Sequence, residues 1–147
     1  MTFAIGEIIS YLVYKKIPVM GHVGFLPQYA NSKFNLKGKN KLEREKILND
    51  AISIEKAGVF AVVIECVVEN LAREITNKIS IPTIGIGASK YCDGQVLVID
   101  DLIGLSGFYP KFVKKYSNVS SIIDKSVKRY CIDVRKRNFP KPKNIYK

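Results

Sequence analysis

Three cysteines, one histidine and no tryptophan leave this 147-residue sequence short of the residues that build metal sites and disulfide frameworks. Cys66, Cys92 and Cys131 are odd in number, widely spaced and nowhere arranged as Cys-x-x-Cys, which points to free thiols in a reducing compartment. His22 is the sole histidine, so a zinc site lacks ligands. Long hydrophobic runs are missing too: residues 59–64 are only strand-length, and no membrane span is expected. The first ten residues carry neither a basic n-region nor an A-x-A cleavage pattern, so no secretory signal is expected and a cytoplasmic protein is the default. Acidic residues run out toward the C-terminus. Residues 1–110 hold 12 basic and 11 acidic side chains, whereas residues 111–147 hold 12 basic and 2 acidic, so all but one unit of the net +11 belongs to the last quarter. That distribution disfavours a uniformly basic nucleic-acid module and leaves a basic tail able to meet polyanions.

What is present describes one globular domain. Apolar residues make up 47% and charged residues 25%, with mean hydropathy +0.03, enough for a single core. Residues 5–14 place Ile5, Ile8, Ile9, Leu12 and Val13 on one helical face, with Lys15 and Lys16 at its end. Residues 17–24 read as a buried strand entering a glycine-containing loop, and residues 25–41 as a long, turn-rich surface loop of the kind that carries function or moves. Residues 42–57 return to helical periodicity, and Gly58 ends that helix in the left-handed position. Residues 59–65 form a continuous apolar strand, 68–79 a helix, 81–87 a third strand and 95–99 a fourth. Two basic helices are expected near 111–117 and 119–135, followed by a basic, flexible tail over 136–147. The fold class is α/β, either a small open parallel sheet or half of an eight-stranded (β/α) barrel.

Glu65 is the most informative residue. It closes an apolar strand at its C-terminal end, where parallel α/β folds place reactive groups, and alternation sets it on one face with Ala61 and Val63. A carboxylate partly removed from water there has a raised pKa suited to proton abstraction; the plainer role is a rim ion pair with a lysine. His22 occupies the matching place on the preceding strand, flanked by Gly21 and Gly24. The third strand end, IGIGASK, has Lys90 where a dinucleotide fingerprint needs its third glycine. Alternation there turns Ile84 and Ile86 outward and Gly85 and Gly87 inward. Asp93-Gly94 reads as a turn, and Asp100-Asp101 as a helix cap or a cation ligand.

Taken together, IPVMGHVGFLPQ (17–28), GVFAVVIECV (58–67), IPTIGIGAS (81–89), CDGQVLVIDDLIGL (92–105) and PKFVKKYSNV (110–119) resemble the ketopantoate hydroxymethyltransferase (3-methyl-2-oxobutanoate hydroxymethyltransferase) family, in order and in spacing. The resemblance implies a (β/α)8 TIM barrel of pantothenate biosynthesis. With Mg²⁺, such an enzyme adds a hydroxymethyl group from 5,10-methylenetetrahydrofolate to 3-methyl-2-oxobutanoate and gives 2-dehydropantoate. It matches Glu65 to the family's catalytic proton acceptor and His22 to a substrate-binding strand-end histidine, over residues 1–135. A full barrel needs roughly 250 residues, so the chain resembles about the last four βα units, a half barrel plus C-terminal helices. The family's metal ligands fall in the other half, and no residue here inherits that role. Lys33-Phe34-Asn35 replaces a glycine pair, Ser89 replaces a glycine, and an acidic end has become FPKPKNIYK. The partners implied are a complementing N-terminal half or a homo-oligomer, with no membrane. The alternatives are a non-catalytic remnant and a polyanion-binding module whose basic segment carries Tyr116, Tyr130 and Tyr146 toward RNA.

Overall fold

In the computed structural model, which describes residues 2–29 and 35–146, the chain forms two compact units, one up to Val96 and one from Leu97. The first unit runs α1 (Thr2–Tyr14), β1 (Met20–Gly24), a 3-10 turn (Pro27–Tyr29), α2 (Lys41–Lys56), β2 (Ala61–Glu65), α3 (Glu69–Lys78), β3 (Thr83–Ile86) and β4 (Gly94–Gln95). All four strands are parallel and lie in the order β1-β2-β3-β4. A strand order that follows the chain without reversal is that of a barrel wall, whereas a doubly wound sheet reverses at a switch point.

Local chemistry explains the helices. Asn40 caps α2 by accepting the Glu43 N–H on its side chain at 2.9 Å, and Glu43 in turn accepts the Gly38 N–H at 2.8 Å. The helix ends on Ala57, and Gly58 follows at φ +95°, the left-handed residue its position requires. A Cβ there would press on Val13 of α1. The core lies between α2, α3 and one face of the sheet, where Val62, Ile64, Ala51, Leu71, Ala72 and Ile75 are fully buried.

Register fixes which residues face the helices. Val63 pairs with Ile84 and Glu65 with Ile86, so both isoleucines stand on the face of Glu65. This reverses the assignment from glycine alternation. Gly85 instead turns toward Cys92 and Gln95, and Thr83 enters the helix side, where its hydroxyl meets Thr76 and Asp93. Phe60 is half exposed and precedes the strand proper. The fourth strand is only two residues long, because the chain turns at Val98 into a short helix with Asp100 and Asp101 in its first turn. Within the long loop, residues 30–34, including Asn31, Lys33 and Phe34, lie outside the described residues.

The second unit holds α4 (Ile99–Ile103), α5 (Val119–Arg135) and a 3-10 turn at Pro142–Asn144 within the basic tail. Gly104, at φ +78°, ends α4, and the Asn118 side chain accepts the Ser121 N–H to begin α5. Residues 111–117 are not helical: Val113 N–H closes a turn on Pro110, and Tyr116 N–H bonds the Leu102 carbonyl. No residue of α5 is buried.

Candidate active site at the strand ends

Glu65 and His22 meet because adjacent parallel strands hold them in phase. His22 pairs in register with Val63, and Gly24 with Glu65, so the two side chains share a face as diagonal neighbours. His22 Nε2 lies 3.1 Å from Glu65 Oε2, with the side chains 32% and 16% exposed. The lysine partner considered for Glu65 is thus replaced by the only histidine of the sequence. Burial raises the Glu65 pKa above the usual carboxylate range, and the charge and hydrogen bond of His22 pull it partly back.

The backbone around the carboxylate is tightly held. The Glu65 carbonyl accepts the Phe25 N–H at 2.8 Å, and the Cys66 carbonyl accepts the Lys37 N–H at 2.8 Å. Val68 N–H then returns to the Lys37 carbonyl at 3.0 Å, so both ends of the long loop are pinned to the chain leaving β2. Cys66 takes a left-handed conformation, φ +52°, to make this turn. Its thiol is pushed up to about 12 by burial and by the neighbouring Glu65 charge, which keeps it protonated and inert as a nucleophile. Gly24, at φ +98°, is required for closeness as well as conformation, since a Cβ there would collide with the Glu65 carbonyl oxygen.

Sequence reasoning missed a second polar cluster, behind β3. Asp93 Oδ2 accepts both the N–H and the hydroxyl of Thr83, at 2.8 and 2.9 Å. Buried Ser89 donates to Glu69 Oε1 at 3.2 Å, accepts the Tyr91 N–H, and offers its carbonyl to the Gln95 side chain. These contacts fix the β3–β4 connection against the start of α3. Asp-Gly carries a turn signal that hides the first of them, and the Glu69–Ser89 contact spans 20 residues without a local cue.

Among the described residues, no three His, Cys, Asp or Glu side chains converge so as to hold a metal ion. Glu65 and His22 are paired with each other through one oxygen, Oε2. Among the described residues the donor set therefore does not fit a resident Mg²⁺ by itself. Nor, among the described residues, is any helix long and apolar enough to cross a membrane.

The sequence pattern of one protein family, described as ketopantoate hydroxymethyltransferase, matches residues 2–142. The chain belongs to that family. It is 47% identical over 145 residues to 3-methyl-2-oxobutanoate hydroxymethyltransferase 2 of Zymomonas mobilis, covering 97% of this chain and 53% of that protein. It is 51% identical over 140 residues to the 3-methyl-2-oxobutanoate hydroxymethyltransferase of Pelagibacter ubique, covering 95% and 54%. With the enzyme of the same name from Phenylobacterium zucineum it shares 53% over 142 residues, covering 95% and 52%. The chain spans about half the length of the curated relatives it matches. Its consecutive parallel strands are therefore half of the barrel of a ketopantoate hydroxymethyltransferase.

Proposed function

We propose that this chain supplies the proton-accepting half of a hydroxymethyltransferase site, completed by a polypeptide carrying the other four βα units. The reaction is transfer of a one-carbon unit from 5,10-methylenetetrahydrofolate to 3-methyl-2-oxobutanoate, giving 2-dehydropantoate. The observation that supports it is Glu65: a carboxylate at the C-terminal end of β2, mostly buried, with its basicity raised by burial. In this reading the C3–H bond of the oxo-acid breaks, the proton passes to Glu65, and the electron pair becomes an enolate whose C3 forms the new bond to the one-carbon unit, while the two C–N bonds of that unit to the folate break, water supplies the hydroxyl oxygen and tetrahydrofolate leaves. His22, on the same face, contacts the substrate. Mg²⁺, as the resemblance implies, would be held by residues of the other half of the barrel.

The test is co-production with the N-terminal half of a relative. The complemented complex is expected to turn over 3-methyl-2-oxobutanoate. Glu65→Gln should lower kcat by about 100- to 10,000-fold, the usual contribution of a positioned base. Unchanged turnover in that variant would remove Glu65 from the role.

A further inference from the structure

We infer that His22 is the positioning residue of the base: it donates its Nε2–H to Oε2 of Glu65 and leaves Oε1 to take the substrate proton. The inference rests on Glu65 being the base. Its geometry is that of the parallel ladder, which sets the two side chains on one face and brings Nε2 to 3.1 Å from Oε2. Among the described residues no other group bonds the carboxylate, so only one of its two oxygens is committed. A neutral imidazole protonated on Nε2 satisfies this contact, and an imidazolium satisfies it more strongly.

Of the groups around Glu65, His22 is the one that opposes the effect of burial on its carboxyl. On β2, Cys66 stays a neutral thiol and adds no charge. On β3, the in-register neighbour is Ile86, which is apolar. From the long loop and α2, Lys37, Glu43, Lys46 and Asp50 line a cleft of about 200 Å³ that His22 also borders. Lys37 faces Glu43 at 3.6 Å, and Lys46 is the charge that acts on Asp50, so these four offset one another. Burial raises the pKa of Glu65, and His22, by charge and by hydrogen bond, lowers it. Removing His22 leaves burial unopposed: the carboxyl then stays protonated to higher pH, and less base is available at any given pH.

The test uses the 147-residue chain itself, because a sole histidine gives a single set of imidazole NMR signals. The Glu65 carboxyl ¹³C signal, identified by its loss in Glu65→Gln, is followed against pH in wild type, His22→Ala and His22→Gln. The midpoint should move to higher pH in His22→Ala and less far in His22→Gln, whose amide reaches the same oxygen without carrying charge. The wild-type imidazole signal should show an inflection at the Glu65 midpoint that Glu65→Gln removes. An unmoved midpoint in His22→Ala, or His22→Gln behaving as His22→Ala, would overturn the positioning role. Should His22→Ala fail to fold, the imidazole inflection and its loss in Glu65→Gln carry the same decision. In the complemented enzyme, the acid limb of kcat/KM should shift upward in His22→Ala, which a purely structural residue would leave in place. The two readings fail separately: turnover surviving in Glu65→Gln removes the base while leaving the NMR coupling intact, and an absent coupling removes only the role of His22.

Discussion

Asp93 and Asp50 are both acids beside the core, and their settings give them opposite signs. Asp93 gathers the N–H and hydroxyl of Thr83 on one oxygen, and those bonds hold its carboxyl below the usual range. Asp50 loses water to burial, which raises its pKa against the pull of Lys46. A depressed folded pKa contributes stability that is present above the unfolded value and lost as pH falls through the folded one. Asp93→Ala is therefore expected to cost about 1–2 kcal/mol in urea unfolding at pH 7, the scale of charge-assisted hydrogen bonds at an exposed acceptor. The gap between variant and wild type should close as pH falls below the carboxylate range; a gap independent of pH would mean the aspartate acts through shape alone. At this scale Glu65 was legible in the sequence because a single charge ending an apolar run is costly to place without purpose. Asp93 was not: its partner lies 10 residues away across a turn that Asp-Gly would form in any case.

The elements were legible to the extent that one period dominated each of them. α2 and α3 appear within a residue or two of their expected bounds, because each has a clear apolar stripe and, for α2, Asn40 and Gly58 agree with it. The fourth strand and the helix at 111–117 failed where local pattern competed with partners elsewhere. Val96 N–H still reaches the Gly85 carbonyl, but three residues later the paired aspartates favour a helix start. The face of β3 could not be read from its own alternation, since only pairing with β2 sets its phase. Gly24 shows what one position in an element can control. Gly24→Ala must place a Cβ against the Glu65 carbonyl and adopt φ near +98°, at a strain of about 1–3 kcal/mol. It is expected to lower the melting temperature and to change the pH dependence of the imidazole signal; an unaltered signal would show that the end of β2 does not depend on that close approach.

For the molecule as a whole, half a barrel means a sheet with one face covered and an outer strand short of a neighbour. Among the described residues β1 pairs only with β2, and Met20 on its inner face is half exposed. Free edges and apolar faces of this kind drive association. Sedimentation of the isolated chain should show species heavier than 16.5 kDa that grow with concentration, and co-production with a complementing half should suppress them. A monomer at every concentration would mean the edge is satisfied within the chain. The charge excess of residues 111–147 lies outside the sheet unit. The place of His22 on that outer strand has a kinetic corollary. Each opening event that peels β1 from β2 parts the imidazole from the carboxylate while Ile64 and Leu71 stay buried in the core, so the dwell time of the pair is the dwell time of one edge ladder.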